Sequence, residues 1–306
     1  MTQTSSEPLA QGTVEARGLT FAYLAAGPLD DRDRPLAVCL HGFPDAAWTW
    51  RHLLPSLAAA GFRAVAPWMR GYAPTTVPPD AHYQAAVLAL DAGALHAAFG
   101  GGDDAVLVGH DWGAIAGYAA VHDPATPWSR FVSMAVPPPS VLATGFLTYD
   151  QLRRSWYTFF FQHPLAEVAV AMDDLAFIDR LWADWSPGYD ASADLPGVKD
   201  ALRDPANLAA AIGYYRALIG GVNPDPSPEV QALEAASGGQ IPVPTLYLHG
   251  ADDGCMGAAL AEGAATAFGA PGSRSEIVAG AGHFLHLERP ETVNGLILDF
   301  LAAGRG

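Results

Sequence analysis

Lysine is almost missing. Lys199 is the only one in 306 residues, and 16 basic side chains face 32 acidic ones, for a formal net charge of −16. Such a chain repels nucleic acid, and no basic patch offers a footprint for it. Cysteine is scarce as well. Cys39 and Cys255 each lie near the end of an expected core strand, in neither a metal-binding nor a redox spacing, and read as buried thiols. No uninterrupted apolar run reaches membrane-spanning length, and Met1–Ala10 has neither the basic start nor the apolar centre of a signal peptide. These absences give the expectation of a cytoplasmic protein without a membrane or nucleic-acid partner. What the chain does hold is apolar material: half its residues are hydrophobic and 16% are charged, enough for a large buried core. Its length suits one α/β domain carrying an insertion.

Strand and helix signals alternate in the first third of the chain. Thr13–Arg17 and Leu19–Leu24 read as a hairpin around Gly18. Pro35–Leu40, Phe62–Pro67 and Ala105–Val108 are near-continuous apolar runs, the pattern of strands buried on both faces of a parallel sheet. Helices are expected over Trp48–Ala60 and Tyr83–Phe99. The rhythm returns late with strands at Pro244–Leu248 and Arg274–Val278 and a closing helix at Glu291–Leu301. Between the two blocks the chain reads as aromatic-rich helices bounded by Pro137-Pro138-Pro139 and by the proline-dense stretch Asn223–Pro228. The expected organisation is therefore a discontinuous core, residues 1–136 and 229–306, with residues 137–228 as an inserted helical cap.

Gly109-His110-Asp111-Trp112-Gly113 stands between the apolar run at 105–108 and the small-residue helical pattern at 114–120. A strand that enters a tight turn and leaves as a helix, with glycine on both sides of one exposed side chain, is the nucleophile elbow of the α/β-hydrolases. That side chain is the carboxylate of Asp111 rather than a serine hydroxyl. A carboxylate displaces at saturated carbon and leaves an enzyme-bound ester, which suits a strained ether or a carbon–halogen bond. The ester then needs a base to activate water, and in this scheme acid and histidine follow the nucleophile on loops after late strands. His283, after Gly280-Ala281-Gly282, fits the base. Asp253 fits the orienting acid, with Asp252 as the alternative. The backbone N–H groups of Phe43 and Trp112 are the expected oxyanion donors.

With these residues in place the sequence resembles the epoxide hydrolases of the α/β-hydrolase superfamily. The resemblance rests on His41-Gly42-Phe43-Pro44, Arg70-Gly71-Tyr72, the elbow, the acid loop and Gly282-His283-Phe284, and on two segments between the blocks, Ser155–Phe160 and Gly213–Ala217. It implies an α/β-hydrolase fold, a mostly parallel sheet flanked by helices, and no cofactor. It implies too that Tyr157 and Tyr215 donate hydrogen bonds to the epoxide oxygen. Gly213 stands where the family often has asparagine, which leaves Tyr214 as the alternative to Tyr215. Trp112, Trp156 and Phe43 are expected to contact a small, largely apolar substrate whose only co-reactant is water. Haloalkane dehalogenation by the same Asp, His and Asp is the competing chemistry, and Trp112 meets half of that family's halide-binding pair. A non-catalytic member that binds small molecules is the competing class. His283 and His286, three apart, lack an evident third metal ligand, so no metal is expected. His41, His110 and His249 read as structural, and a homo-oligomer is left open.

Overall fold

Four apolar runs lie within the parallel part of one sheet because each can be covered on both faces. The computed structural model describes residues 9–125 and 127–303, so the reading of Met1–Ala10 lies mostly outside the described residues. Strands β1 (Ala10–Ala16) and β2 (Leu19–Ala26) pair antiparallel across Arg17-Gly18, both with positive φ (48° and 72°), the mirror-image turn that matches strand twist. The remaining strands are β3 (Leu36–Leu40), β4 (Arg63–Pro67), β5 (Val106–His110), β6 (Arg130–Met134), β7 (Thr245–Gly250) and β8 (Arg274–Val278). Their order across the sheet is β1-β2-β4-β3-β5-β6-β7-β8, and every pairing from β4 to β8 is parallel. Every residue of β3, β4, β5 and β7 is buried, as a strand covered on both faces requires.

Strand β6 was not anticipated. Arg130 at its start and the buried hydroxyl of Ser133 within it break the apolar run, and Ser133 is accommodated by donating to the Tyr118 hydroxyl (2.6 Å). The helix expected over Trp48–Ala60 is two pieces, a 3-10 turn at Ala47–Arg51 and helix α1 (Leu53–Ala59). Helices α2 (Ala85–Ala98) and α3 (Trp112–Ala120) contribute to the core on one face of the sheet, with α1 and the closing helix contributing to the other.

Between β6 and β7 the chain forms α4 (Pro139–Gly145), α5 (Tyr149–Arg154), α6 (Trp156–Phe160), α7 (Ala166–Trp185), α8 (Leu195–Leu202), α9 (Pro205–Gly220) and α10 (Pro228–Ala236). Helix α7 is interrupted at Met172–Leu175, where Asp173, Asp174 and Leu175 all take left-handed φ. Phe161, Trp182, Trp185, Tyr214 and Tyr215 from this segment share one core with Phe43, Trp112 and Phe284. Those three follow the carboxyl ends of β3, β5 and β8, so the helical segment is seated over that edge of the sheet. After β8 come α11 (Leu285–Glu288) and α12 (Pro290–Ala302). No helix among the described residues is long and apolar enough to cross a membrane.

Candidate active site

Asp111 sits at the turn between β5 and α3 with φ 52° and ψ −115°, a left-handed conformation that a non-glycine residue adopts only under constraint. The constraint is close packing. A Cβ on Gly113 would lie 2.0 Å from the Leu40 carbonyl oxygen, and one on Gly42 would lie 2.2 Å from Asp111 Oδ1. The two glycines therefore let the ends of β3 and β5 approach until the Phe43 N–H donates to Asp111 Oδ1 at 2.7 Å. The Trp112 N–H also favours the ionised carboxylate. Burial is the larger influence and raises the Asp111 pKa to about 6, with the neighbouring His283 pulling the other way.

Of the two adjacent aspartates in the acid loop, Asp253 faces His283. Asp253 is buried and accepts the N–H groups of Cys255 (2.7 Å) and Met256 (2.9 Å) on Oδ1, which leaves Oδ2 for His283 Nδ1 at 3.0 Å. Asp252 is exposed and makes no such contact with His283. Because Nδ1 faces a carboxylate it carries the proton, and the Nε2 lone pair is directed toward Asp111, 3.8 Å from its Oδ2. That distance exceeds a hydrogen bond and suits an intervening water. Burial disfavours the imidazolium, but the charge of Asp253, its hydrogen bond and the charge of Asp111 outweigh it, so the pKa of His283 is raised.

Tyr157 and Tyr215 meet edge to face, ring centroids 5.6 Å apart, and Tyr215 also packs edge-on against Trp112 and Phe43. Both phenols are buried, and burial holds their pKa values well above the usual tyrosine range. The charge of Asp111 adds to the rise in both. The Tyr157 hydroxyl lies 3.3 Å from Cys255 Sγ. The Tyr215 hydroxyl has no partner of hydrogen-bonding geometry among the described residues, although the Trp112 side chain weakly favours its ionised form. Tyr214 is otherwise occupied: its hydroxyl donates to the Arg70 carbonyl (2.8 Å) and its ring stacks on Tyr83.

Trp156 is not brought into this cluster. Tyr157 points inward, and the adjacent residue on a helix is rotated by about 100°, which carries Trp156 outward against Phe160 and Phe177. There it is 46% exposed and lines a groove of 1280 Å³ whose other walls include Trp185, Gly254 and Asp253. The groove approaches the cluster from the acid-loop side and does not include Asp111.

A second buried polar group was not foreseen from sequence. Asp45, His110 and His286 bring donor atoms within 4.8 Å of one another. Burial pushes the Asp45 carboxyl well above its ordinary range and both imidazoles well below theirs, which favours the uncharged form of each. Asp253, Cys255 and His283 are equally close together, but Nδ1 of His283 is already committed to Asp253. His41 and His249 are structural in their contacts: His41 Nε2 accepts the Met69 N–H, and His249 lies between the Tyr247 hydroxyl and the Met256 carbonyl.

Residues 37–296 match the alpha/beta hydrolase family. Epoxide hydrolase 3 of Xenopus tropicalis is 31% identical over 299 residues, which cover 93% of this chain and 75% of that protein. Epoxide hydrolase A of Mycobacterium tuberculosis is 30% identical over 327 residues, covering 94% of this chain and 96% of that protein. Among solved structures, epoxide hydrolase A from Mycobacterium thermoresistibile superposes with a TM-score of 0.79 at 25% identity, covering 96% of this chain and 98% of that one.

Proposed function

From the premise that this chain belongs to the alpha/beta hydrolase family and is a hydrolase with epoxide hydrolase relatives, we propose that it opens small, largely apolar epoxides to vicinal diols through an aspartyl ester. The observation that carries the reading is the line Asp111–His283–Asp253, at 3.8 Å and 3.0 Å, beneath two buried phenols. Ionised Asp111 attacks a ring carbon. Negative charge develops on the epoxide oxygen, and Tyr157 and Tyr215 donate hydrogen bonds to it. Burial disfavours the phenolate, so both are neutral at the start; one passes its proton to the alkoxide and regains it from the Asp111 carboxyl formed when the ester is hydrolysed.

In the second half-reaction a water between His283 and the ester gives its proton to Nε2 and attacks the Asp111 carbonyl carbon. The N–H groups of Phe43 and Trp112 hold the oxyanion that forms there. Asp253 keeps the Nδ1 proton in place and stabilises the imidazolium. Collapse of the tetrahedral intermediate releases the diol and restores Asp111. No cofactor enters the scheme. The segment 137–228 acts as a cap that supplies the two phenols and excludes bulk water.

The reading is tested by diol formation from aromatic and aliphatic epoxides, with matched haloalkanes assayed for halide release and Asp111→Asn as the blank. Aspartate-dependent diol supports it. Halide release without diol overturns it in favour of dehalogenation. The two phenols favour epoxide over haloalkane, since a departing halide needs no general acid. In Tyr157→Phe and Tyr215→Phe, ring opening is expected to slow by about 10²-fold or more while ester hydrolysis is little changed. Pre-steady-state alkylation separates the two steps, and equal slowing of both would remove the tyrosines from ring opening.

A further inference from the structure

Three successive backbone N–H groups around His283 are bound by groups more than a turn of chain away. Gly282 N–H donates to Glu288 Oε2 (2.8 Å), His283 N–H to the Trp185 carbonyl (3.0 Å), and Phe284 N–H to Ser186 Oγ (3.1 Å). Ser186 Oγ in turn donates to Glu288 Oε1 at 2.6 Å. The Trp185 carbonyl accepts a second bond, from Gly254 N–H (3.0 Å), the residue after Asp253. The end of α7 thus ties the histidine loop and the acid loop together. Its approach is close: a Cβ on Gly282 would lie 2.7 Å from Ser186 Cα, and one on Gly254 would lie 1.9 Å from the Asp184 carbonyl oxygen.

The hydroxyl of Ser186 is completely buried, and one donated and one accepted bond fix its rotor. Glu288 spans both ends of the loop, receiving a proton from Ser186 on one oxygen and from Gly282 on the other. Neither residue touches Asp111. Their role is to hold the peptide units on either side of His283, and hence the direction of its ring, in a place set by the docked helical segment.

We propose that Ser186 and Glu288 are positioning residues for His283, coupling the seating of α7 to the hydrolysis of the Asp111 ester. The proposal rests on the epoxide-opening reading for its kinetics. The expected signature is a split between the half-reactions, because ring opening uses Asp111 and the phenols, whereas ester hydrolysis uses the imidazole. In Ser186→Ala the Phe284 N–H and one Glu288 oxygen lose their partner. Ester hydrolysis should fall by roughly 10- to 100-fold, the scale of a misplaced catalytic group, with ring opening within about threefold. Alkyl-enzyme should then appear in steady state by intact mass. Glu288→Gln keeps the shape and removes a negative charge that favours the imidazolium, so the pH at which the His283 ring titrates by NMR should fall.

Equal slowing of both half-reactions, or wild-type hydrolysis in both variants, overturns the proposal. The ring titration needs no substrate. If His283→Gln accumulates no ester from any epoxide, the functional reading fails, and NMR still decides the clamp through Ser186→Ala, which changes no charge: displaced His283 ring resonances uphold it, and unmoved ones refute it.

Discussion

Two buried groups of carboxylate and histidine lie side by side in this protein, drawn from overlapping stretches of chain, and they differ in charge. Asp111, His283 and Asp253 form a line in which the histidine is flanked by two carboxylates and its pKa is raised. Asp45, His110 and His286 form a cluster in which two histidines share one carboxyl, burial lowers both imidazoles, with His286 adding to the fall in His110, and burial raises the carboxyl. His110 precedes Asp111 and His286 follows His283 by three residues, so neighbours in sequence are divided between the line and the cluster. Burial alone does not separate them, because all six are buried. The separation follows the ratio of carboxylate to imidazole, since backbone N–H groups reach a carboxylate in both groups, Phe43 donating to Asp111 (2.7 Å) and Ala46 to Asp45 (2.8 Å). The cluster still touches the line: His110 Nε2 donates to the His283 carbonyl at 2.9 Å.

Substitutions in the two groups should therefore diverge. The largest effect is expected from Asp111→Asn, which should abolish turnover, by about 10⁴-fold or more, measured as diol formation. His283→Gln should stop ester hydrolysis and let the alkyl-enzyme accumulate, whereas His286→Gln should still turn over. Its cost is the lost hydrogen bond between His286 Nε2 and Thr49, about 1 to 2 kcal/mol in a urea melt. Adduct accumulation in His286→Gln would break the distinction.

The pH dependence follows the same division. In the proposed mechanism Asp111 must be ionised to attack and His283 neutral to act as base, so both half-reactions should fail on the acid side. Ring opening should titrate near the Asp111 value of about 6. The Asp45 cluster, whose imidazoles burial moves below and whose carboxyl it moves above their ordinary ranges, should give no limb that Asp111→Asn removes. A smaller effect concerns stability. A carboxyl raised from 3.8 to about 6 favours the fold while protonated, and that contribution is complete below the unfolded value and lost as pH rises through about 6. Asp111→Asn should then stabilise the protein at pH 7 by about 1 to 3 kcal/mol, read from chemical denaturation. No change in stability would indicate that the backbone donors fully offset the burial.

The elbow was legible because glycine on both sides of one side chain, after a buried strand and before a helix, has few other uses. That an aspartate of the loop after β7 would meet His283 was legible from the placement of the two loops. Which of Asp252 and Asp253 faces His283 was not, since that depends on Asp253 turning one oxygen to the N–H groups of Cys255 and Met256. Tyr214 and Tyr215 could not be separated for a similar reason, because the Arg70 carbonyl that claims Tyr214 is 144 residues away. Strand β6 was hidden by Ser133, a polar residue whose burial depends on a partner hydroxyl. The cluster around Asp45 and the bonds from Ser186 were invisible for the same cause: their partners meet only once the chain is folded.

The most direct test of Asp111 as nucleophile is intact-mass and peptide analysis of His283→Gln after exposure to an epoxide that the wild-type enzyme converts. The account predicts one adduct equal to the substrate mass, located on Asp111 and absent when Asp111→Asn is added. Absence of any adduct during continued turnover, or an adduct confined to another residue such as Cys255, would contradict it.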